Sequence, residues 1–269
     1  MEDIRTTTGI KLVTTKEIID KIHHTFYSEK IINYKGQNNN IFITDVMEKV
    51  KVDDFIFIIN KNDTCVSDCL RSGILFEKFL LSFVKMFIDS TKNILDIGAN
   101  IGCHSIVYSN YTNGNVYAFE PQPIVFELLQ KNIESNNCKN IIAYNFGASN
   151  SDTIFFMNAH YDHPDNQGAF RICEKGDIGI NIICKKLDDL NLSNIGYIKI
   201  DVEGHELNTL LGLQKTIQTN LPNLMIEIHE TSPTKYDVFT FLENIGYKYY
   251  YKLSHCDYIF SFTLYEINL

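Results

Sequence analysis

No run of Lys and Arg occurs anywhere in the sequence, and the formal net charge is −9. Nucleic acids are held chiefly by basic side chains that neutralise phosphates, so nucleic acid is not expected as a partner. There is no Cys-x-x-Cys pair. The seven cysteines, Cys65, Cys69, Cys103, Cys138, Cys173, Cys184 and Cys256, are odd in number and irregularly spaced, which argues against a disulfide framework or a zinc ribbon. Reduced thiols in a cytoplasm-like compartment are expected. The first residues, Met-Glu-Asp-Ile-Arg, lack the basic-then-apolar order of a signal peptide. The longest apolar stretch, near 76–88, is interrupted by Glu77, Lys78 and Lys85, so no membrane span is expected. These absences together predict a soluble, cytoplasmic protein. Internal repeats and long linkers are missing too, and the only low-complexity stretch, 37–40, reads as a turn.

What is present is an ordinary globular composition, 45% hydrophobic and 21% charged over 269 residues. That length suits one large domain, or one domain with an added arm. Residues 14–28 place Ile18, Ile19, Ile22 and Phe26 at helical spacing after Thr14-Thr15, with Glu17 in the first turn. Segments 41–44 and 55–59 are strand-like and are expected to pair as a hairpin across the charged residues between them. Leu75, Phe79, Phe83, Met86 and Phe87 share a helical face. Residues 1–90 therefore read as an arm of helix, hairpin and helix that packs on the core of the chain. From 91 to 269 strands and helices alternate. Strands are expected at 94–97, 116–119, 141–146, 195–200 and 224–228, and helices at 105–111, 124–135, 206–216 and 235–244. Phe126, Leu128, Leu129 and Ile133 are expected to face inward. This alternation predicts an α/β fold with a mostly parallel sheet. The last two strands, 247–253 and 258–264, are joined by a short turn and must be antiparallel. Residues 150–190 break the rhythm with two short strand-like pieces around a polar loop, 158–176.

Two corners of this sheet carry chemistry. Leu95-Asp96-Ile97-Gly98-Ala99-Asn100-Ile101-Gly102 joins a strand to a helix. Gly98 and Gly102 permit a tight turn and the close approach of a ligand, and the helix N-terminus offers backbone N–H groups to an anionic group. Glu120 ends the next strand, where an acid binds ribose hydroxyls in Rossmann-like sheets. A nicotinamide dinucleotide needs Gly-x-Gly-x-x-Gly, but Asn100 stands at the middle glycine and Asp96 would oppose a pyrophosphate. Asp96 suits a cationic amino group, directly or through water. S-adenosylmethionine has that group and no phosphates.

The second corner is Lys199-Ile200-Asp201-Val202-Glu203-Gly204-His205-Glu206. Asp201 falls at a strand end, where ligands sit in open α/β sheets, and Lys199 shares its face. Glu227 and His229 share a face at the next strand end. Asp201, Glu203, Glu227 and His229 are the candidates for taking a proton from an acceptor hydroxyl and positioning it. The plainer alternatives are Glu227 as a buried partner of Lys199, His205 as a solvated side chain and Glu206 as a partner of the helix dipole. Oxygen-rich clusters suit magnesium or calcium, but this spacing matches no known metal signature and no metal is expected. His160 and His163, in the polar loop, are read as substrate or solvent contacts. Tyr247, Tyr249, Tyr250 and Tyr251 either line an interface or a sugar site, or fill the core on one face.

Taken in order, these segments resemble the FkbM-type methyltransferases. The resemblance lies in the turn from Asp96 to Gly102, Tyr117-Ala118-Phe119-Glu120-Pro121, the Leu-x-x-Asn of Leu129 and Asn132, Phe146-Gly147-Ala148-Ser149, Lys186-Leu187-Asp188-Asp189-Leu190, the segment from Lys199 to Gly204, and Leu221-Pro222 followed by Glu227-Ile228-His229. It spans about 93–230. The resemblance implies a Rossmann-like class I methyltransferase fold with S-adenosylmethionine as donor and a hydroxyl acceptor on a sugar, glycan or small metabolite. It also implies that Glu120 holds the ribose and Asp201 lies near the reacting methyl. Asp96, Gly98, Asn100, Gly102, Glu120, Pro121, Ala148 and Asp201 are the expected cofactor contacts. Lys186 departs from the family's Thr, and the arm and the 158–176 loop are particular to this chain. Competing readings are a non-catalytic interaction module on the same fold, and a NAD-dependent oxidoreductase. A homodimer is expected only because symmetric dimers are common.

Overall fold

The computed structural model describes residues 9–13, 41–42, 47–158, 170–173 and 179–267. The helix expected over 14–28, the turn at 37–40 and the pair His160 and His163 lie outside the described residues. In chain order the strands are β1 (Lys11–Leu12), β2 (Ile41–Phe42), β3 (Met47–Val52), β4 (Phe55–Asn60), β5 (Asn93–Ile97), β6 (Val116–Phe119), β7 (Ile141–Tyr144), β8 (Gly147–Ala148), β9 (Thr153–Asn158), β10 (Arg171–Cys173), β11 (Gly179–Lys185), β12 (Ile195–Ile200), β13 (Asn223–Glu227), β14 (Tyr249–Lys252) and β15 (Asp257–Ser261). The helices are α1 (Val66–Arg71), α2 (Lys78–Val84), α3 (Cys103–Tyr108), α4 (Pro123–Ser135), α5 (Glu206–Gly212), α6 (Gln214–Asn220) and α7 (Lys235–Ile245).

The main sheet has the order β1-β14-β15-β13-β12-β5-β6-β7. Every neighbouring pair is parallel except those of β15, which runs against both β13 and β14. Every residue of Ile195–Ile200 is buried, as a strand covered on both faces requires. The chain winds outward from β5 to β7 and then returns to β12 on the other side of β5. The order reverses there, and a crevice opens at the carboxyl ends of these strands. This is the Rossmann-like α/β architecture expected from the alternation, with its antiparallel pair at the C-terminal end.

Helix α4 begins with Pro123, whose missing N–H costs nothing at a first helical position. Its buried stripe is Val125, Leu128, Leu129 and Asn132, one residue earlier than the expected stripe, and Phe126 and Ile133 flank it half-buried. The helix expected over 206–216 is two helices. An added Cβ on Gly212 would lie 1.9 Å from the Ser149 carbonyl, so the chain breaks there at close contact. Asp188 then accepts from the N–H groups of Lys215 and Thr216 at 2.9 and 2.8 Å, capping the second helix.

The arm differs from its expected form. The hairpin joins β3 to β4 around Asp53-Asp54, and the segment at 41–42 pairs with β3 instead of β4. The charged residues expected to separate two strands belong to a strand, in which Glu48, Val50 and Val52 face inward. Helix α1 is an addition that the sequence pattern does not predict. The open edge of β4 is closed by two asparagines of α4. Asn136 bonds Ile56 N and O at 2.8 and 2.6 Å, and Asn132 bonds Ile58 N and O. Asn132 also donates to the Ile101 carbonyl at 2.8 Å, tying the arm to the glycine turn. Val50, Phe57 and Leu81 of the arm share one buried cluster with Ile106, Tyr108 and Tyr197. Tyr247, Tyr250 and Tyr251 are buried, so the core reading holds for them.

The insertion between β7 and β12 forms a second sheet, β10-β9-β11-β8. Its β11 continues in parallel onto β8 at the mouth of the crevice. Among the described residues no helix is long and apolar enough to cross a membrane.

Candidate active site

The ends of β5, β6, β8 and β12 enclose a cavity of about 590 Å³, part of it open to solvent. Gly98, Asn100, Glu120, Pro121, Ala148 and Asp201 of the expected set line it. Met157, Phe170, Ile172, Ile182 and Cys184 of the insertion supply an apolar wall that sequence reasoning missed. The alternating apolar residues of β9 and β11 are its only signal, and nothing local says which face they cover.

Glu120 is 4% exposed, and both of its carboxylate oxygens are anchored. One accepts from Asn100 N and the other from Gln122 N, each at 2.9 Å. Burial outweighs these two bonds and pushes its pKa up to about 7. Asn100 reaches Glu120 because its backbone is left-handed, with φ 51°, a region that Asn tolerates better than most residues.

The two glycines make the expected tight turn, and their missing side chains also leave room for neighbouring protein atoms. At Gly98, with φ 78°, an added Cβ would stand 1.7 Å from the Asp201 carbonyl, and at Gly102, with φ 92°, it would stand 2.6 Å from Leu129. Both positions demand glycine for the turn and for packing against protein, and neither missing side chain faces a cavity. The turn's N–H groups are also occupied. Those of Gly98 and Ala99 meet the Phe119 carbonyl, those of Asn100 and Ile101 meet Glu120 and the Asn100 side chain, and that of Gly102 meets Ala99. Asp96 is fully buried and lines neither this cavity nor the second one beyond Gly98. It accepts from Ser105 Oγ at 2.5 Å and lies 3.6 Å from Lys199 Nζ, so its charge acts on Lys199 beneath the turn.

At the ends of β12 and β13 the acids hold one another. Lys199 Nζ donates to Asp201 Oδ2 and to the Gly98 carbonyl, each at 3.1 Å. Burial opposes ionisation of Asp201, yet the Lys199 charge and the hydrogen bonds from Glu227 and Lys199 hold its carboxyl below the ordinary value. Glu227 is pushed up to about 10 by burial and by the Asp201 charge, so it is the protonated member of the pair. Cys256 Sγ donates to Glu227 Oε1 at 3.2 Å. Lys199 therefore pairs with Asp201, and the alternative Lys199–Glu227 pair is not formed. Burial, and then the Asp201 charge, raise Glu203 to about 7. Arg171 Nε stands 3.5 Å from it. His229 lies 3.8 Å from Glu203 and 3.9 Å from Glu227, on the solvent side. Asp201 and Glu203 line the cavity, whereas Glu227 and His229 do not. Single oxygens of Asp201, Glu203 and Glu227 lie within 4.8 Å of one another, close enough to surround one cation. His205 is half-buried, 3.0 Å from Ser149 Oγ and edge-on to Phe155. Glu206 accepts from Gly204 N at 2.7 Å, a local cap at the start of α5.

The second cavity, about 310 Å³ and also partly open, lies on the far side of Gly98. Gly98, Asn100 and Asp201 line both cavities, so the two adjoin at the glycine turn. The remaining walls of the second include Phe76 and Glu77 from the arm, His104 from α3 and Lys199.

A model of the FkbM methyltransferase domain matches residues 96–249, more than half of the chain, and the chain belongs to that family. Methyltransferase 1 of Beauveria bassiana is 24% identical over 228 residues, covering 75% of this chain and 90% of its own length. The hexuronic acid methyltransferase AglP of Haloferax volcanii is 30% identical over 137 residues, 50% of this chain and 54% of that protein. A solved FkbM methyltransferase from Methylobacillus flagellatus KT superposes with a TM-score of 0.48 and 20% identity, covering 64% of this chain and 44% of that one. The protein is accordingly a methyltransferase.

Proposed function

We propose that the chain is an S-adenosylmethionine-dependent O-methyltransferase whose acceptor is a hydroxyl of a sugar, a glycan or a small metabolite. The observation that carries this reading is one cavity lined both by an anchored acid, Glu120, and by Asp201 and Glu203. The donor set fits the cofactor. Glu120 would take the ribose hydroxyls, for a fixed carboxylate suits a vicinal diol. Pro121, Ala148 and Ile182 would flank the adenine with apolar surface. When bound, the cofactor supplies an electrophilic methyl on a sulfonium.

The chain's own part is orientation and proton handling. Asp201, kept ionised by Lys199, and Glu203, poised near neutrality, face the space where an acceptor hydroxyl would lie. Glu203 is the group that would receive the hydroxyl proton. Glu227 donates to Asp201 and so fixes its direction. Arg171, beside Glu203 and half-exposed, would meet the acceptor. The kinship with a hexuronic acid methyltransferase supports a sugar acceptor.

Calorimetric titration with S-adenosylhomocysteine and with NAD tests the cofactor. Micromolar binding of the former alone is expected. NAD binding without S-adenosylhomocysteine would replace this reading with the oxidoreductase. Transfer of a labelled methyl to a panel of sugars then tests the acceptor class.

A further inference from the structure

Around Glu203 the fold gathers bases from three separate stretches of chain. Glu203 Oε2 lies 3.5 Å from Arg171 Nε and 3.8 Å from His229 Nε2. Arg171 opens β10, and His229 follows β13. His255, exposed in the turn between β14 and β15, is near enough for its charge to act on His229. Burial, then the charge of Arg171 and lastly that of His255 disfavour protonation of His229, against the pull of Asp201. Like charges are thus brought together at one rim of a chain whose formal net charge is −9. The acids beneath offset them only in part. Asp201 is paired with Lys199 at 3.1 Å. Glu227, pushed up to about 10, keeps its proton, and Glu203, raised to about 7, is only partly ionised at neutral pH. A rim of this sign draws an anion to it.

Arg171 is oriented to receive one. Phe170 and Ile172 beside it line the first cavity, and side chains alternate along a strand, so Arg171 turns to the other face of β10. Its contact with Glu203 is made through Nε, and its side chain is 47% exposed. A guanidinium held at Nε still presents its two terminal nitrogens as a planar fork, the geometry that takes two oxygens of a carboxylate or a phosphate. Glu203 has a backbone φ of 52°, a left-handed conformation that a non-glycine residue keeps only where its surroundings impose it. That conformation sets its carboxylate beside both bases.

We propose that Arg171 and His229 form an anion subsite for the methyl acceptor, and that the preferred acceptor is a sugar carrying a carboxylate or a phosphate near the reacting hydroxyl. This rests on the methyl-transfer reading of the site. Arg171 takes two oxygens of the anion through its fork, and His229 donates to it through Nε2–H. The acceptor is then pinned at its anion as well as at its hydroxyl, which fixes the direction of attack. In the transfer the hydroxyl oxygen bonds to the methyl carbon as the carbon–sulfur bond breaks, and the hydroxyl proton goes to Glu203. The anion keeps its charge throughout and serves recognition alone.

The test measures transfer of a labelled methyl from S-adenosylmethionine by the full chain to methyl glucoside, galactoside and mannoside, and to the 6-carboxylate and 6-phosphate of each. The best anionic acceptor is expected to exceed its neutral parent in kcat/KM by roughly thirtyfold, the size of a charge-assisted contact, with the difference carried by KM. Comparing the two anions shows which one the subsite reads. Arg171→Met should bring that ratio to within about threefold of one, and Arg171→Lys should keep part of it, since an ammonium lacks the fork. His229→Gln should lower it less than Arg171→Met does. Circular dichroism and S-adenosylhomocysteine affinity, both unchanged, separate a lost acceptor contact from a lost fold. A ratio near one in the wild type overturns the assignment. So does an equal loss for anionic and neutral acceptors in Arg171→Met, which would leave Arg171 serving Glu203 alone. A base-labile methyl ester as product would make the carboxylate itself the acceptor and overturn it as well. Transfer to none of these sugars by a chain that binds S-adenosylhomocysteine removes this acceptor and leaves the cofactor reading intact. Failure of the folded chain to bind S-adenosylhomocysteine removes the cofactor reading, and this assignment with it.

Discussion

At the end of β6, Glu120 is fixed by two backbone N–H groups and has no ionisable neighbour in hydrogen-bond contact. At the ends of β12 and β13, Asp201 is held by Lys199 and Glu227, and Glu203 stands beside them against Arg171. Backbone donors cannot titrate, so the first acid has a fixed direction and a fixed set of partners. It is suited to binding. Side-chain donors do titrate, so the second group can change its protonation while its members stay in place. The two corners carry the same residue type and differ in what anchors it, and that anchoring separates affinity from turnover.

The largest effect should come from Asp201→Ala. It leaves S-adenosylhomocysteine affinity within about tenfold, roughly 1.4 kcal/mol, and cuts kcat by roughly 10²–10⁴, the range of a positioned acid–base group. Full activity in this variant would remove Asp201 from the chemistry and erase the contrast between the corners. Glu120→Gln comes next and should act on the other quantity. Replacing a charged acceptor by a neutral amide loses about 1.5–3 kcal/mol, so Kd for S-adenosylhomocysteine should rise roughly 10–100-fold by titration. An unchanged Kd would mean that the ribose lies elsewhere.

Much of this contrast is legible without the fold. Asp96, Glu120 and Asp201 each end or nearly end a parallel strand, and strand ends converge at the reversal of sheet order whatever the loops do. Asn132 and Asp188 are visible only as members of a pattern. Their reasons are tertiary, since Asn132 closes the edge of β4 and Asp188 caps a helix far along the chain. The second cavity is not legible. Glu77 registers only as a break in an apolar run, and His104 sits among buried helix neighbours with no periodic sign of a site. The arm misleads for a related reason. The alternation of Met47–Val52 carries Lys on its outer face, and those lysines mask a strand whose inner face is buried.

The smallest expected effect sharpens the acidic corner internally, by separating Glu203 from Glu227. Burial and the Asp201 charge raise Glu203 to about 7, so its basic form grows as pH rises through neutrality. Measured for the acceptor with the cofactor saturating, which keeps the other acid near 7, Glu120, in one state, kcat/KM should therefore climb roughly tenfold between pH 6 and pH 8 and then level off. Glu203→Gln should abolish that rising limb and lower the plateau. Glu227, pushed up to about 10, is protonated across the same range and acts as a donor to Asp201, a role that an amide can keep. Glu227→Gln should thus leave the limb where it is, with a change in rate smaller than that of Glu203→Gln. A limb that survives Glu203→Gln and vanishes in Glu227→Gln would exchange the two roles. The acceptor proton would then pass to Glu227, which does not line the cavity, and the lining acid would be left with positioning alone.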